Sequence, residues 1–222
     1  MRKFYHYLFH LCLTGLVLIC SAATAATPHQ RLLMDFGWKF SLTDTLGAEK
    51  PAFNDAKWRT IDLPHDWSIE NTFTADAPTG GGGGYLPTGI GWYRKHFKVE
   101  NPKGKNIRIE FEGVYQNSDV WLNGRHLGHY PNGYMSFGYD LTSAIKKGEN
   151  LITVRVNNSL QPNSRWYSGS GIFRHVWLDI TQPVHIARWG TYVTTPKADS
   201  ASATITVKTK IENSKTVSGK VL

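Results

Sequence analysis

The sequence predicts an all-β protein built around a sandwich of the jelly-roll kind. Short stretches in which apolar and polar residues alternate are typical of strands with one buried face. Turn-forming pairs such as Asn123-Gly124 separate these stretches. No window of a dozen residues repeats its apolar positions with the 3.6-residue period of a helix. Together these three observations favour stacked sheets over a helical architecture.

The first 25 residues are predicted to be a secretory signal peptide. A short basic start precedes a mostly apolar stretch from Leu8 to Cys20, and small residues follow up to Ala25. This stretch is too short to span a membrane comfortably, and no basic residues stop it. We therefore expect cleavage before Ala26 and a periplasmic or extracellular protein. A lipoprotein signal at Cys20 is the alternative, which Ile19 disfavours because such signals carry a small residue there.

The composition excludes several classes of function. Lys plus Arg number 25 and Asp plus Glu 17, which gives a net charge of +8, but no basic run is longer than a pair such as Arg94-Lys95. A nucleic-acid partner is therefore not expected. Both cysteines, Cys12 and Cys20, lie in the signal segment, so the mature chain is expected to have no disulfide and no cysteine-based metal site or nucleophile.

The predicted strands follow one another at short intervals. Residues 107–111 alternate apolar and charged side chains, and residues 120–122 and 125–128 form a hairpin about Asn123-Gly124. Residues 151–156 and 176–180 are two further strands. A single helical turn over 141–147, with Asp140 as its cap, interrupts them.

The eight tryptophans favour a large core or flat binding surfaces. Trp58, Trp121 and Trp177 sit in apolar patterns and are predicted to be core residues. The pattern around Trp67 does not assign that residue to either role.

A domain boundary is predicted near Pro183, separating residues 26–183 from residues 184–222. Residues 185–195 begin a new set of strands, and residues 204–211 alternate Ile and Val with Thr and Lys. A sandwich of the immunoglobulin kind needs about 100 residues. We therefore expect residues 184–222 to be an incomplete domain.

Several blocks of sequence carry a family resemblance when they are considered together. The blocks are Leu63-Pro64-His65-Asp66-Trp67, Gly89-Ile90-Gly91-Trp92-Tyr93-Arg94-Lys95, Phe111-Glu112-Gly113-Val114-Tyr115, Val120-Trp121-Leu122-Asn123-Gly124, and Ser164-Arg165-Trp166-Tyr167-Ser168-Gly169-Ser170-Gly171-Ile172-Phe173-Arg174. In this order and spacing, the set resembles the N-terminal jelly-roll domain of glycoside hydrolase family 2, especially its exported β-galactosidases. The resemblance covers about residues 33–183, and the segment from His185 onward is similar to the start of that family's immunoglobulin-like second domain.

The resemblance implies a retaining glycoside hydrolase whose chemistry lies in a third domain, a (β/α)₈ barrel with two catalytic glutamates. Retention needs two carboxyl groups about 5 Å apart, one of them with a raised pKa. No position in this sequence matches those glutamates, so we assign no catalytic residue and expect the chain to end before the barrel and to be inactive alone. The expected partners are a carbohydrate substrate and the barrel of the same polypeptide, with no cofactor; the oligomeric state is left open.

Glu110 and Glu112 are the nearest approach to a carboxylate pair within the chain. They share a strand face, but it is the face opposite Ile109 and Phe111. We therefore expect both glutamates to lie on a solvated surface.

Four residues are candidates for contact with sugar: Asp66, Arg165, Trp166 and Tyr167. A guanidinium and two aromatic rings offer hydrogen-bond donors beside flat apolar faces, which match a pyranose ring. A structural role for this cluster and a turn role for Asp66 are the alternatives. Some family members carry an aspartate at position 165 that helps to hold sodium, and an arginine cannot ligate a cation. The histidines show no metal-ligand spacing, so no metal site is expected.

The glycine run from Gly80 to Gly84 is not the strand-to-helix fingerprint of a phosphate loop. It is either a flexible surface loop or a loop that faces sugar. For the chain as a whole, a free-standing carbohydrate-binding module and a structural or adhesive sandwich compete with the glycosidase interpretation. Galactoside, glucuronide and mannoside enzymes share this architecture, and the resemblance favours a galactoside.

Overall fold

The computed structural model describes residues 29–164 and 166–213. The predicted signal peptide, with both cysteines, and Arg165 lie outside the described residues. Within the described part, the strands are β1 His29–Leu33, β2 Trp38–Ser41, β3 Arg59–Ile61, β4 Gly89–Val99, β5 Asn106–Phe111, β6 Ser118–Leu122, β7 Arg125–Tyr130, β8 Phe137–Asp140, β9 Gly148–Asn158, β10 Val176–Thr181, β11 Val184–Ala198 and β12 Ala203–Asn213. A 3₁₀ turn spans Gly81–Gly83.

Two antiparallel sheets form the sandwich. One has the order β1-β10-β5-β8, and the other has the order β3-β2-β4-β9-β6-β7. Strands that are distant in sequence are neighbours in both sheets, as in a jelly roll. The prediction of an all-β jelly-roll sandwich is confirmed. No helix among the described residues is long and apolar enough to cross a membrane.

The core lies between the two sheets, where strands present alternate side chains inward. Tyr93 of β4 and Ile109 of β5 are fully buried there, together with Trp38 and Trp67. The β6–β7 hairpin turns at Asn123-Gly124, both of which have positive φ, as expected for this pair. The turn after Asp140 also forms, since the Asp140 carboxylate accepts the backbone N–H of Thr142 at 2.7 Å.

The prediction that Trp58, Trp121 and Trp177 belong to the core is wrong. All three are only partly buried and lie outside the core cluster. Trp121 stacks on Trp92, with ring centroids 5.4 Å apart. Trp177 donates from its indole N–H to Glu112. An apolar pattern does not show which of two alternating faces points inward, and here neighbouring side chains cover these rings from outside.

The prediction that Glu110 lies on a solvated surface is also wrong. It is only 5% exposed. Arg188 of β11 donates to its carboxylate at 2.9 Å, and Arg31 lies 3.7 Å away. Burial is the largest single influence and raises the pKa of Glu110, but the hydrogen bond and charge of Arg188, together with the charges of Arg31 and Arg108, outweigh it and leave the pKa lowered. Glu112 is more exposed and accepts from Trp177.

The segment after Pro183 forms an antiparallel hairpin of β11 and β12. Every residue of β12 is exposed. β10 ends at Thr181 and β11 starts at Val184, on either side of the predicted boundary. The domain limits 26–183 and 184–222 stay a prediction.

Arg94 is a fully buried cation on the outer face of the six-stranded sheet. Its Nε donates to Asp55 Oδ2 at 2.8 Å, and its two terminal nitrogens donate to the carbonyl oxygens of Ala48, Lys50 and Phe53. The segment between β2 and β3 is thereby fixed across the sheet. Truncating one partner of a buried pair leaves an uncompensated charge and unpaired acceptors.

We expect Arg94→Ala to lower the free energy of unfolding by about 3 kcal/mol or more, measured by urea denaturation. Lys98→Ala is the matched control, because Lys98 stands on the same strand face in an exposed pair with Glu149. That variant should change stability by less than about 1 kcal/mol. Equal losses in the two variants would contradict the role given to Arg94.

Candidate functional site

Three of the candidate residues, Asp66, Trp166 and Tyr167, lie at one end of the six-stranded sheet. Gly89, at the start of β4, pairs with Asn158, at the end of β9. The segments 62–88 and 159–171 therefore meet at the same edge. A bridge between Tyr115 and Gly171 brings the segment after β5 to this edge as well.

Asp66 joins two of these segments. Its Oδ1 accepts the backbone N–H of Ser68 at 2.9 Å and that of Ser170 at 2.7 Å. The first contact is local and closes a turn, and the second crosses 104 positions of sequence. This geometry supports the turn role for Asp66. Its role as a sugar ligand stays a prediction, carried by the second oxygen, Oδ2.

A buried polar network holds the segment ends beneath Asp66. The hydroxyl oxygens of Ser68 and Ser170 are 2.7 Å apart, and Asn158 donates to Ser170 at 2.7 Å. Asn158 Oδ1 in turn accepts from Asn163 at 2.6 Å and from Gln161 at 3.1 Å. Because Asn158 is almost fully buried and all of its side-chain atoms are paired, it fixes the start of the 159–171 segment.

Trp166 and Tyr167 stand outside this network and face solvent. They are 71% and 57% exposed, and their ring centroids are 5.0 Å apart. Successive side chains of an extended segment point in opposite directions, so the sequence predicts that at least one of two consecutive aromatics is exposed, and here both are. Ser164 donates from its hydroxyl to the Trp166 carbonyl oxygen at 2.5 Å. Arg165, the third member of the cluster, lies outside the described residues.

The glycine run lies directly against this aromatic pair. A side chain at Gly84 would place its Cβ 2.5 Å from Cδ1 of Tyr167, so the close approach requires glycine. The nearby cleft, whose lining includes Thr79, Asn163 and Trp166, has a volume of only about 10 Å³. This is room for about one water molecule. A sugar at this edge would therefore rest on the exposed rings, since the cleft is too small to enclose it.

Tyr115 and Asn163 also lie at this edge, and the sequence identified neither as a site residue. Tyr115 donates from its hydroxyl to Asn163 Oδ1 at 3.1 Å, and the ring of the exposed Tyr134 packs on Tyr115. Asn163 is 48 positions from Tyr115. No local pattern reveals such a contact.

His65, next to Asp66, is buried and belongs to the core. Its Nδ1 lies 2.7 Å from the hydroxyl of Tyr93, and its Nε2 lies 3.2 Å from Glu70 Oε1 without the alignment of a hydrogen bond. Burial lowers the pKa of His65, and the Glu70 carboxylate opposes this only in part. Arg59 donates two hydrogen bonds, of 3.0 and 2.9 Å, to the Glu70 carboxylate.

Glu70 is therefore unlike the acid of a glycosidase. The hydrogen bond from Arg59 lowers the pKa of Glu70, whereas a general acid needs a raised pKa. The described residues contain no group of three or more His, Asp or Glu side chains that could hold a metal ion. The absence of a cofactor stays a prediction.

Comparison with known proteins identifies the family to which this architecture belongs. The profile of the glycosyl hydrolases family 2 sugar-binding domain matches residues 34–183. The chain belongs to glycoside hydrolase family 2. The matched range ends at Pro183, and it includes the loop edge with Asp66, Trp166 and Tyr167.

Relatives in this family are several times longer than the chain. A β-galactosidase of Bacteroides ovatus is 51% identical over 196 residues, which cover 87% of this chain and 23% of the relative. A β-glucuronidase of Formosa agariphila is 38% identical over 213 residues, which cover 84% of this chain and 22% of the relative. A solved family 2 structure from Bacteroides cellulosilyticus superposes with a TM-score of 0.83 at 45% identity, covering 86% of this chain and 25% of that one. The chain thus spans about a quarter of these relatives.

We expect Asp66→Ala to lower the free energy of unfolding by about 2 kcal/mol, because two backbone N–H groups lose a charged acceptor. Asp66→Asn keeps an oxygen in place and should retain more of that stability. Urea denaturation of both variants measures the difference. If Asp66→Ala were as stable as the wild type, the bond to Ser170 would have no structural role.

The pH dependence of stability should carry a contribution from His65. In the unfolded chain its pKa lies near 6.5, and in the folded chain it is lower. Between these values the unfolded state binds more protons, so stability from this residue is present above about pH 6.5 and is lost as the pH falls below it. His65→Gln should make the decline in urea midpoint between pH 7 and pH 5 shallower.

His175 provides a control of opposite sign. The hydrogen bond to Asp35, 2.6 Å long, raises the pKa of His175. This residue therefore stabilises the fold at low pH, and the contribution is lost as the pH rises through its folded value. His175→Gln should make the acid decline steeper. Slopes that change in the same direction in both variants would contradict these assignments.

Proposed function

We propose that this chain is the N-terminal, sugar-binding part of an exported, retaining β-galactosidase, whose catalytic barrel lies elsewhere in the same polypeptide. The observation that carries the proposal is the 51% identity to the Bacteroides ovatus β-galactosidase across 87% of the chain. A β-glucuronidase is the second candidate, supported by 38% identity to the Formosa agariphila enzyme. The higher identity favours the galactoside.

We assign sugar contact to the end of the six-stranded sheet at which Trp166 and Tyr167 lie. Trp166 and Tyr167 present exposed rings, which match the C–H face of a pyranose. The second carboxylate oxygen of Asp66 and the guanidinium of Arg165 are the polar groups we assign to hydroxyls at the edge of such a ring. Asn158 is hydrogen-bonded to Asn163, before the two rings in sequence, and to Ser170, after them. The rings are therefore positioned in advance of binding.

Hydrolysis itself is assigned to the barrel. Retaining hydrolysis needs an acid/base and a nucleophile about 5 Å apart. Glu70 and Glu110 are both bound by arginines, and both have lowered pKa values. Groups held as carboxylates in this way do not donate a proton near neutral pH.

The 222-residue chain should show no glycosidase activity when it is purified alone. The assay uses nitrophenyl β-galactoside and nitrophenyl β-glucuronide, with the complete polypeptide as the positive control. Turnover by the complete polypeptide on the galactoside in preference to the glucuronide supports the proposal, and the reverse preference supports the second candidate. Activity of the short chain that a point mutation within it abolishes would refute the assignment to the barrel.

In the complete polypeptide, Trp166→Ala should raise KM for the galactoside severalfold while the melting temperature changes little. Trp166 is 71% exposed, so its removal leaves no core cavity. Trp67→Ala is the contrast, because that ring is fully buried and its loss should cost roughly 3–5 kcal/mol. A large fall in melting temperature for Trp166→Ala with unchanged kinetics would make the cluster structural.

A further inference from the structure

The glycine run Gly80–Gly84 packs against one of the two rings to which we assign sugar contact. We propose that this run is a positioning element, whose backbone holds the Tyr167 ring, and through that ring Trp166, where the two can stack on a sugar. This role rests on the proposed function, because the rings that it holds are those assigned to the sugar. It differs from both roles that the sequence left open, since the glycines are then neither a flexible loop nor a sugar ligand.

The glycine run is a closed turn. The backbone N–H of Gly83 donates to the Thr79 carbonyl oxygen at 3.2 Å, and that of Tyr85 donates to the Gly80 carbonyl oxygen at 2.9 Å. Thr79 is buried, and its hydroxyl donates across the turn to the Leu86 carbonyl oxygen at 3.0 Å. A Cβ at Gly83 would lie 2.5 Å from the Cβ of Thr79, so the turn closes only with glycine there. A turn that pairs its own backbone groups presents a defined surface to its neighbours.

Gly84 is the point at which this surface meets the ring. A Cβ at this position would lie 2.5 and 2.6 Å from Cδ1 and Cε1 of Tyr167, which is far too close for a non-bonded contact. Gly84 also adopts φ +68°, a conformation that favours glycine. The Tyr167 ring therefore lies directly on bare backbone. Because the ring of Trp166 packs on Tyr167, with centroids 5.0 Å apart, the glycine backbone influences the position of both rings.

The turn and the segment that carries the rings are in close contact. Thr79 and Gly83 of the turn line the same narrow cleft as Ser164 and Trp166 of the segment. The segment is itself braced, since the backbone N–H of Trp166 donates to the Ser164 hydroxyl at 3.3 Å. All of these contacts lie within residues 79–168. They belong to the sandwich and do not involve the β11–β12 hairpin that follows it.

A positioning role and a structural role predict different losses. Tyr167 lies outside the core cluster, so its ring can turn away from Gly84 without opening a cavity in the sandwich. A ring that is already held in its binding position loses less conformational freedom when a ligand binds. A side chain at position 84 would remove this advantage and leave the core as it is. The loss should therefore appear in KM and not in the melting temperature.

The test is the kinetics of the complete polypeptide on whichever nitrophenyl glycoside, galactoside or glucuronide, it hydrolyses. Gly84→Ala should raise KM severalfold, about as much as Tyr167→Ala does, and should change kcat by less than about twofold. Gly82→Ala is the matched control, because a Cβ at Gly82 would meet no atom of the described residues within 4 Å. It adds the same methyl group to the same turn and should leave KM within about twofold.

A double variant separates contact with the ring from strain in the turn. If Gly84 acts through the ring, Gly84→Ala combined with Tyr167→Ala should have the KM of Tyr167→Ala alone. Effects of the two changes that multiply would show that the glycine acts independently of the ring, and would overturn the proposal. A KM for Gly82→Ala as high as that for Gly84→Ala would overturn it as well.

The variants also distinguish this role from the sugar contact on which it rests. A raised KM in Tyr167→Ala with an unchanged KM in Gly84→Ala would overturn the positioning role and leave the sugar contact intact. An unchanged KM in Tyr167→Ala would refute the contact of that ring with sugar, and the positioning role with it. A large fall in the melting temperature of Gly84→Ala would make the glycine structural and would also overturn the proposal.

Discussion

The pairing of β4 with β9 is the constraint on which the rest of the sandwich depends. The two strands run antiparallel through eleven residue pairs, from Gly89 with Asn158 to Val99 with Gly148. This register sends Tyr93 into the core and the neighbouring Arg94 to the opposite face, where it secures the segment between β2 and β3. A slip of one residue would bring the buried cation into the apolar layer. The same register fixes where β4 begins and β9 ends, so it also determines which loops meet at the candidate site.

Much of the sandwich could be predicted from the sequence because its information is local. Alternation over 107–111 and the Asn123-Gly124 turn each depend on a few adjacent residues. Burial of Glu110 could not be predicted in this way, because the arginine that covers it is 78 positions away. For the same reason, alternation identified Trp121 as a strand residue but did not reveal that its face of the sheet is the outer one.

The same distinction between local patterns and long-range contacts applies to the candidate site. Two consecutive aromatics cannot both face inward from a strand, and that local argument was enough to predict the exposure of Trp166 or Tyr167. The bond from Ser170 to Asp66 spans 104 positions, and the bond from Tyr115 to Asn163 spans 48. Contacts of this length are set by the register of the sheets, which no single sequence states. The sequence therefore indicated the exposed members of the site and missed the residues that support them.

The positions of the tryptophans follow the geometry of the strands that carry them. On the regular strands β2, β4, β6 and β10, tryptophans are either buried in the core, as Trp38 is, or covered by neighbours on the outer face, as Trp92 is. Trp166 and Trp189 are the two with 71% exposure, and each stands where the backbone leaves strand geometry. A regular strand presents its side chains to a sheet face, where the next strand's residues pack against them. Both exposed indoles thus lie where regular strand pairing is absent or interrupted, Trp166 in the segment after β9 and Trp189 in the bulge of β11 at φ +54°.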